Sequence, residues 1–317
     1  MAGGTRKVTV VGAGNVGSNT VRRIAEKDLA DEVVMIDIVE GLPEGLALDI
    51  NQSAPVEGFS CHVTGTNDYA DTQGSDVCVI TAGLPRKPGM SRMDLLEKNS
   101  EIVGQVTEQL AKNSPESTLI VVSNPLDEMT YLAALVSDFP KERVMGMAGV
   151  LDSSRLRYFI AQELNVAPGA VEAMTLGSHG DQMVALPRHA TVEGKPLPEL
   201  ADDAALQKLF QRTRDAGAEI VGYLKKGSAF YAPSSSAAAM VNAILEDSGD
   251  VYPTCAWTTG QYGVSDVYLG VPAKLGAGGV VDIVELDLNE DELSQLREAA
   301  EAIRSKCEEL STARGSG

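Results

Sequence analysis

Three histidines are all that this chain of 317 residues offers for proton transfer near neutral pH. His62 and His189 lie in strand-like stretches without clustered polar residues and read as structural. His179 differs, because Gly177-Ser178-His179-Gly180-Asp181 surrounds an imidazole with small residues that expose it at a bend, which makes it the candidate acid/base. Two arginines, Arg86 and Arg92, stand six residues apart in Leu84-Pro85-Arg86-Lys87-Pro88-Gly89-Met90-Ser91-Arg92. The prolines and glycine there oppose both helix and strand, so a movable loop that presents guanidinium groups to an anion is expected.

A second set of residues suits a nucleotide. Gly12-Ala13-Gly14-Asn15-Val16-Gly17 directly follows the apolar run Val8-Thr9-Val10-Val11 and opens a helical pattern. In that context the first glycine permits a tight turn, the second lets backbone approach a pyrophosphate, and the third allows close contact of helix with strand. Asp37 follows Gly17 by 20 residues, at the end of Val33-Val34-Met35-Ile36. A carboxylate there accepts from a ribose 2′-hydroxyl and repels a 2′-phosphate, and no arginine follows it, so NAD is expected rather than NADP.

The elements that must position these groups alternate. Strands are expected at Lys7–Val11, Glu32–Ile36, Ser60–Gly65, Val77–Thr81, Thr118–Val122 and Val144–Met147, with helices near Asn15–Lys27, Glu44–Ile50, Leu95–Asn113 and Glu128–Val136. Near-continuously apolar strands separated by helices predict an α/β fold, a Rossmann-type doubly wound parallel sheet. From about Asp152 the rhythm changes to a helix at 152–164, strand-like pieces at Val171–Leu176, Met183–Leu186 and Ala190–Val192, helices at Leu206–Lys225 and Ser235–Leu245, further strands and a C-terminal helix at Glu290–Leu310. Two domains follow: 1–150, binding NAD, and 151–317, an α+β substrate-binding and catalytic domain.

Composition removes other classes. Acidic residues outnumber basic ones 45 to 26, for a formal charge of −19, which disfavours nucleic acid and anionic membrane as partners. The same excess raises the expectation of adaptation to high salt, where cations screen a self-repelling carboxylate shell. No apolar run of membrane-spanning length and no signal-like N-terminus stands out, so the cytoplasm is the expected location. Cys61, Cys78, Cys255 and Cys307 show no metal-ligand spacing and read as reduced thiols, with no metal expected.

Five motifs occur in the order of a known family: the glycine motif at 12–17, the loop at 85–92, Ser123-Asn124-Pro125, Leu151-Asp152-Ser153-Ser154-Arg155 and Gly177-Ser178-His179-Gly180-Asp181. Over nearly its whole length the sequence resembles the lactate/malate dehydrogenases, and most of all the lactate-dehydrogenase-like malate dehydrogenases. The resemblance implies reversible hydride transfer between L-malate and NAD, giving oxaloacetate and NADH. It implies that His179 exchanges the proton, that Asp152 orients the imidazole, and that Arg155 grips the substrate's first carboxylate. Asp152 also suits the N-cap of its helix. Asn124, at a strand's carboxyl end, would meet both nicotinamide and substrate. Arg92 would stabilise charge on the carbonyl oxygen, and Arg86 would pair with the distal carboxylate that oxaloacetate has and pyruvate lacks. Asn99 and Val122 complete the residues expected at the cofactor, beside Gly12, Ala13, Gly14, Asn15, Val16, Gly17, Asp37 and Asn124. Met93 departs from the family's usual polar or acidic residue. The family also implies a homo-oligomer, a dimer or a tetramer, and a tetramer is the expectation for this chain.

Rival readings make different demands. Lactate or another 2-hydroxy acid as substrate would leave Arg86 without its anion. A short-chain dehydrogenase would need Tyr-x-x-x-Lys, and none of the eight tyrosines has a lysine four residues on. A non-catalytic NAD-binding protein would have no use for His179, Asp152, Arg155 and Arg92 together.

Overall fold

The structure, a computed structural model, describes residues 5–84 and 92–315. Residues up to Met147, joined by 230–250 and 274–282, form one compact unit; 148–229, 251–273 and the chain from Ile283 onward form a second.

In the first unit β1 (Lys7–Val11), α1 (Asn15–Glu26), β2 (Glu32–Ile36), α2 (Leu42–Glu57), β3 (His62–Thr66), β4 (Val77–Ile80), α3 (Arg92–Asn113), β5 (Thr118–Val121), α4 (Leu126–Ser137) and β6 (Val144–Gly146) alternate along the chain. The strands lie in the order β3-β2-β1-β4-β5-β6, every neighbour parallel. Val8, Val10, Val33, Val34, Met35, Val79, Ile80, Leu119 and Ile120 have no solvent exposure at all. Helices on both faces account for that, and they explain why these strands read as unbroken apolar runs. The order reverses beside β1, so the β1–α1 turn stands at the switch point where ligands of such sheets bind, outside the strands' carboxyl ends.

In the second unit α5 (Gly149–Leu164) leads into β7 (Val171–Glu172), β8 (Thr175–Gly177), β9 (Met183–Ala185), β10 (Thr191–Val192), β11 (Lys195–Pro196) and α6 (Asp203–Leu224). After α7 (Tyr231–Leu245), which belongs to the first unit, come β12 (Val251–Thr259), β13 (Ser265–Gly276), β14 (Gly279–Ile283) and α8 (Glu290–Gly315), of which the end of β13 and nearly all of β14 are counted in the first unit. One path of strands runs β12-β13-β8-β9, and β11-β10-β7 form a small separate sheet. Leu156, Phe159 and Ile160 of α5 share a core with Leu206, Leu209 and Phe210 of α6 and with Val171 and Val192.

Several elements differ from the sequence reading. The single strand expected at 171–176 is two, β7 and β8, which join different sheets. Helix α2 continues to Glu57 with Pro55 in its last turn, where the missing N–H removes only a terminal bond. The Asn51 side chain ties that helix to β3, donating to the Val63 carbonyl and accepting from the Val63 amide. Helix α7 starts at Tyr231 rather than Ser235 and packs on α1 inside the first compact unit.

Candidate active site

The glycine turn is built from steric necessity. Gly12 has φ +103°, and a Cβ there would stand 2.8 Å from Thr81 Oγ1 and 3.0 Å from the Ala82 amide. A Cβ on Gly17 would fall 1.7 Å from the Gly12 carbonyl oxygen, so α1 can lie this close to the turn only without a side chain. Around Gly14 the reverse holds: a Cβ would meet nothing within 4 Å, which leaves open space over the backbone. Gly14 is also the N-cap of α1, with no side-chain cap and no acidic residue in the first turn. Nothing negative on the helix competes there with an anion, and the first amides point outward with the positive end of the dipole. Bare cap, tight outer glycines and open central glycine together fit a pyrophosphate.

Asp37, just past β2, accepts from the Ala13 amide at 2.6 Å through Oδ2 and from the Val39 amide at 3.0 Å through Oδ1. The Asp37 carboxylate is thus held beside the glycine turn. Thr81, which the sequence reading did not single out, steadies the same turn by donating to the carbonyls of Val11 and Gly12. One sequence carries no sign of that, since a threonine ending a strand is ordinary.

Asn124 follows β5, with a cis bond to Pro125. Its carbonyl accepts from Asn99 Nδ2 at 2.6 Å. Asn99 also donates to the Leu84 carbonyl and accepts from the Leu84 amide, and it is only 1% exposed. The amide braces the backbone at Leu84 against the strand end at Asn124. Val122 is buried, its amide bonded to Ile80 in the adjoining strand. Arg86 lies outside the described residues. Arg92 is the first residue of α3 rather than part of an irregular loop. Met93-Asp94-Leu95-Leu96 contains no breaker, and Asp94 in the first turn complements the dipole.

In the second unit α5 starts at Gly149 with Ala148 as its cap, so Asp152 sits inside the first turn and is not the N-cap. Its side chain serves elsewhere. Oδ2 lies 2.8 Å from Nδ1 of His179, and Oδ1 lies 3.3 Å from an Nη of Arg155. Asp152 is 2% exposed, so its charge is balanced locally by these two partners. The i, i+3 spacing on α5 makes the arginine contact, as one helical turn requires. Burial pulls the Arg155 guanidinium below the ordinary arginine range, against the opposing pull of Asp152. Its Nε is buried with no hydrogen-bond partner among the described residues.

His179 stands two residues beyond β8 at a bend made by glycines. Gly177 has φ +83°, and a Cβ on it would lie 2.7 Å from the Gln182 carbonyl. The exposed imidazole inferred from sequence is part-buried, with 19% of its side chain exposed. By contrast His62 is exposed on β3, and His189 bonds through Nε2 to the Asp287 carbonyl.

A dinucleotide turn in one unit and an imidazole–carboxylate pair beside an under-bonded guanidinium in the other define a class, the NAD-dependent oxidoreductases. Residues 6–146 match the lactate/malate dehydrogenase NAD binding domain, and residues 149–313 match the α/β C-terminal domain of the same family. The chain belongs to the lactate/malate dehydrogenase family. It is 55% identical to a malate dehydrogenase of Salinibacter ruber, over 98% of this chain and 99% of the relative. With that of Chloroherpeton thalassium identity is 53%, over 96% and 99%. The solved structure of the Salinibacter ruber malate dehydrogenase superimposes with a TM-score of 0.94 at 52% identity, covering 98% and 99% of the two chains. A lactate dehydrogenase of Cryptosporidium parvum, solved with lactic acid and nicotinamide adenine dinucleotide, gives 0.93 at 40% identity, covering 97% and 98%.

Proposed function

We propose that this chain is an NAD-dependent L-malate dehydrogenase that interconverts L-malate and oxaloacetate. The observation that carries the chemistry is the bond of His179 Nδ1 to Asp152 beside a buried, under-bonded Arg155. Malate dehydrogenases as relatives of more than half identity over nearly the full length support malate as the substrate.

Bound NAD supplies the hydride chemistry, with Gly12, Ala13, Gly14, Asn15, Val16 and Gly17 holding its pyrophosphate and Asp37 its ribose. Asp152 fixes the ring through Nδ1, so the proton travels through Nε2 of His179. In the reducing direction Nε2 gives that proton to the carbonyl oxygen, and the carbon becomes CH–OH; in the oxidising direction Nε2 takes it back. Arg155 grips the near carboxylate with paired, charge-assisted bonds, for which its unpartnered Nε is suited. Asn124 orients the substrate oxygen, and Arg92 stabilises the charge that develops there. Arg86 reads the distal carboxylate. Pyruvate lacks that group and would leave a guanidinium unpaired as water is excluded, at about 1–3 kcal/mol.

The test is kcat/KM for oxaloacetate and for pyruvate with NADH, on the wild type and on Arg86→Gln. A wild-type preference for oxaloacetate that the substitution erodes supports the reading. Preference for pyruvate in the wild type overturns the role of Arg86, and turnover of neither overturns the activity. The reading extends to a cytoplasmic homo-oligomer, a tetramer rather than a dimer. Leu48 and Val56 on α2 and Tyr158 on α5, all exposed, are the apolar residues such contacts would cover, and light scattering measures the size.

A further inference from the structure

Beside the imidazole–carboxylate pair lies a second, uncharged link between the same two elements. Ser153, the residue after Asp152, turns its hydroxyl to β8, where Oγ accepts from the Thr175 amide at 3.0 Å and lies 3.3 Å from Thr175 Oγ1. Both residues are buried, Thr175 at 1% exposure and Ser153 at 6%. Strand β8 runs on from Thr175 to Gly177 and delivers His179 two residues later. The start of α5 is also packed tightly, since a Cβ on Gly149 would stand 2.7 Å from Pro253. The hydroxyl bridge therefore sets how the first turn of α5, with Asp152, is registered on the strand that carries the imidazole.

We propose that Ser153 and Thr175 are positioning residues for proton transfer, and that their bridge holds the Asp152 carboxylate at Nδ1 of His179. The inference rests on the reading of His179 and Asp152 as the proton-transfer pair. A carboxylate–imidazole bond is steeply sensitive to distance and angle, whereas each hydroxyl here is locked by burial and touches neither partner of that bond. Substrate and cofactor would not meet Ser153 or Thr175, so the bridge acts on the proton step through geometry alone.

The experiment compares Ser153→Ala, Ser153→Thr, Thr175→Val and the Ser153→Ala/Thr175→Val double variant with wild type and with Asp152→Asn. It reads kcat, KM for NADH, the pH dependence of oxaloacetate reduction, and melting temperature. Ser153→Ala is expected to lower kcat about tenfold while KM for NADH stays within about twofold, the behaviour of a lost interaction specific to the chemical step. Its alkaline limb should also move down by about half a pH unit, because an imidazolium with a looser carboxylate gives up its proton more readily. Ser153→Thr, which keeps the hydroxyl, should restore most of the activity, and the double variant should be no worse than Ser153→Ala. A Ser153→Ala protein that melts lower but keeps kcat and the pH limb overturns the inference. Should Ser153→Ala fail to fold, Thr175→Val, which is close in shape, decides by the same readouts. If Asp152→Asn itself leaves turnover intact, the proton-transfer assignment falls instead, whatever Ser153 does.

Discussion

Replacing Arg155 with methionine should separate function from stability. The side chain is 13% exposed, its Nε is buried without a partner among the described residues, and its contact to Asp152 at 3.3 Å is long for a charge-assisted bond. An unmatched buried N–H costs folding about 1–3 kcal/mol, and a contact this long returns about 1.5 kcal/mol at most. Methionine fills similar space without a charge, and Asp152 keeps His179 as its partner. Arg155→Met should therefore lie within about 1.5 kcal/mol of wild type in stability, or above it. Activity should fall steeply. Two charge-assisted bonds to a substrate carboxylate contribute about 3–6 kcal/mol, so kcat/KM for oxaloacetate should drop about a hundredfold to ten-thousandfold, with KM for NADH little changed. Urea unfolding followed by circular dichroism and steady-state kinetics on the same preparation supply both numbers. A loss of about 3–5 kcal/mol, as on breaking a structural buried pair, would refute the reasoning, as would activity within tenfold of wild type.

Three further outcomes follow from the same geometry. Gly17→Ala must displace α1 from the Gly12 carbonyl, because the new methyl would start 1.7 Å from it; KM for NADH should rise about tenfold or more, and an unchanged KM would contradict a role for this turn in holding the cofactor. Burial pushes the thiols of Cys61 and Cys78 up to about 12, so both stay protonated at pH 8 and thiolate gathers only as pH climbs towards that value. Native protein should accordingly leave both unmodified by iodoacetamide at pH 8, and peptide mass spectrometry locates any label. The charge of −19 predicts a melting temperature that rises between about 0.1 M and about 2 M potassium chloride; a level or falling one would remove the case for salt adaptation.

Local features determined the dinucleotide unit from the sequence alone. Apolar runs such as Val77-Cys78-Val79-Ile80 report burial on both faces because each residue of a doubly covered strand meets a helix. The glycine motif reports a turn and a close helix because only glycine tolerates φ +103° at position 12 and a carbonyl against position 17. The five ordered motifs named the residues of the candidate site. Tertiary structure alone decided the contacts made within each unit. Helix α7 reads as a helix from its own sequence, but its place on α1 depends on a partner some two hundred residues away. Val171–Leu176 has the pattern of one strand, yet its halves pair in different sheets, which no short-range periodicity encodes. Asn99 carries no local sign that its amide ties the backbone at Leu84 to that at Asn124. Ser153 and Thr175 are unremarkable 22 residues apart and become a bridge only when α5 lies on β8. Residue type and periodicity are properties of the neighbouring chain, whereas a hydrogen bond between distant residues exists only after packing has brought donor and acceptor within about 3 Å.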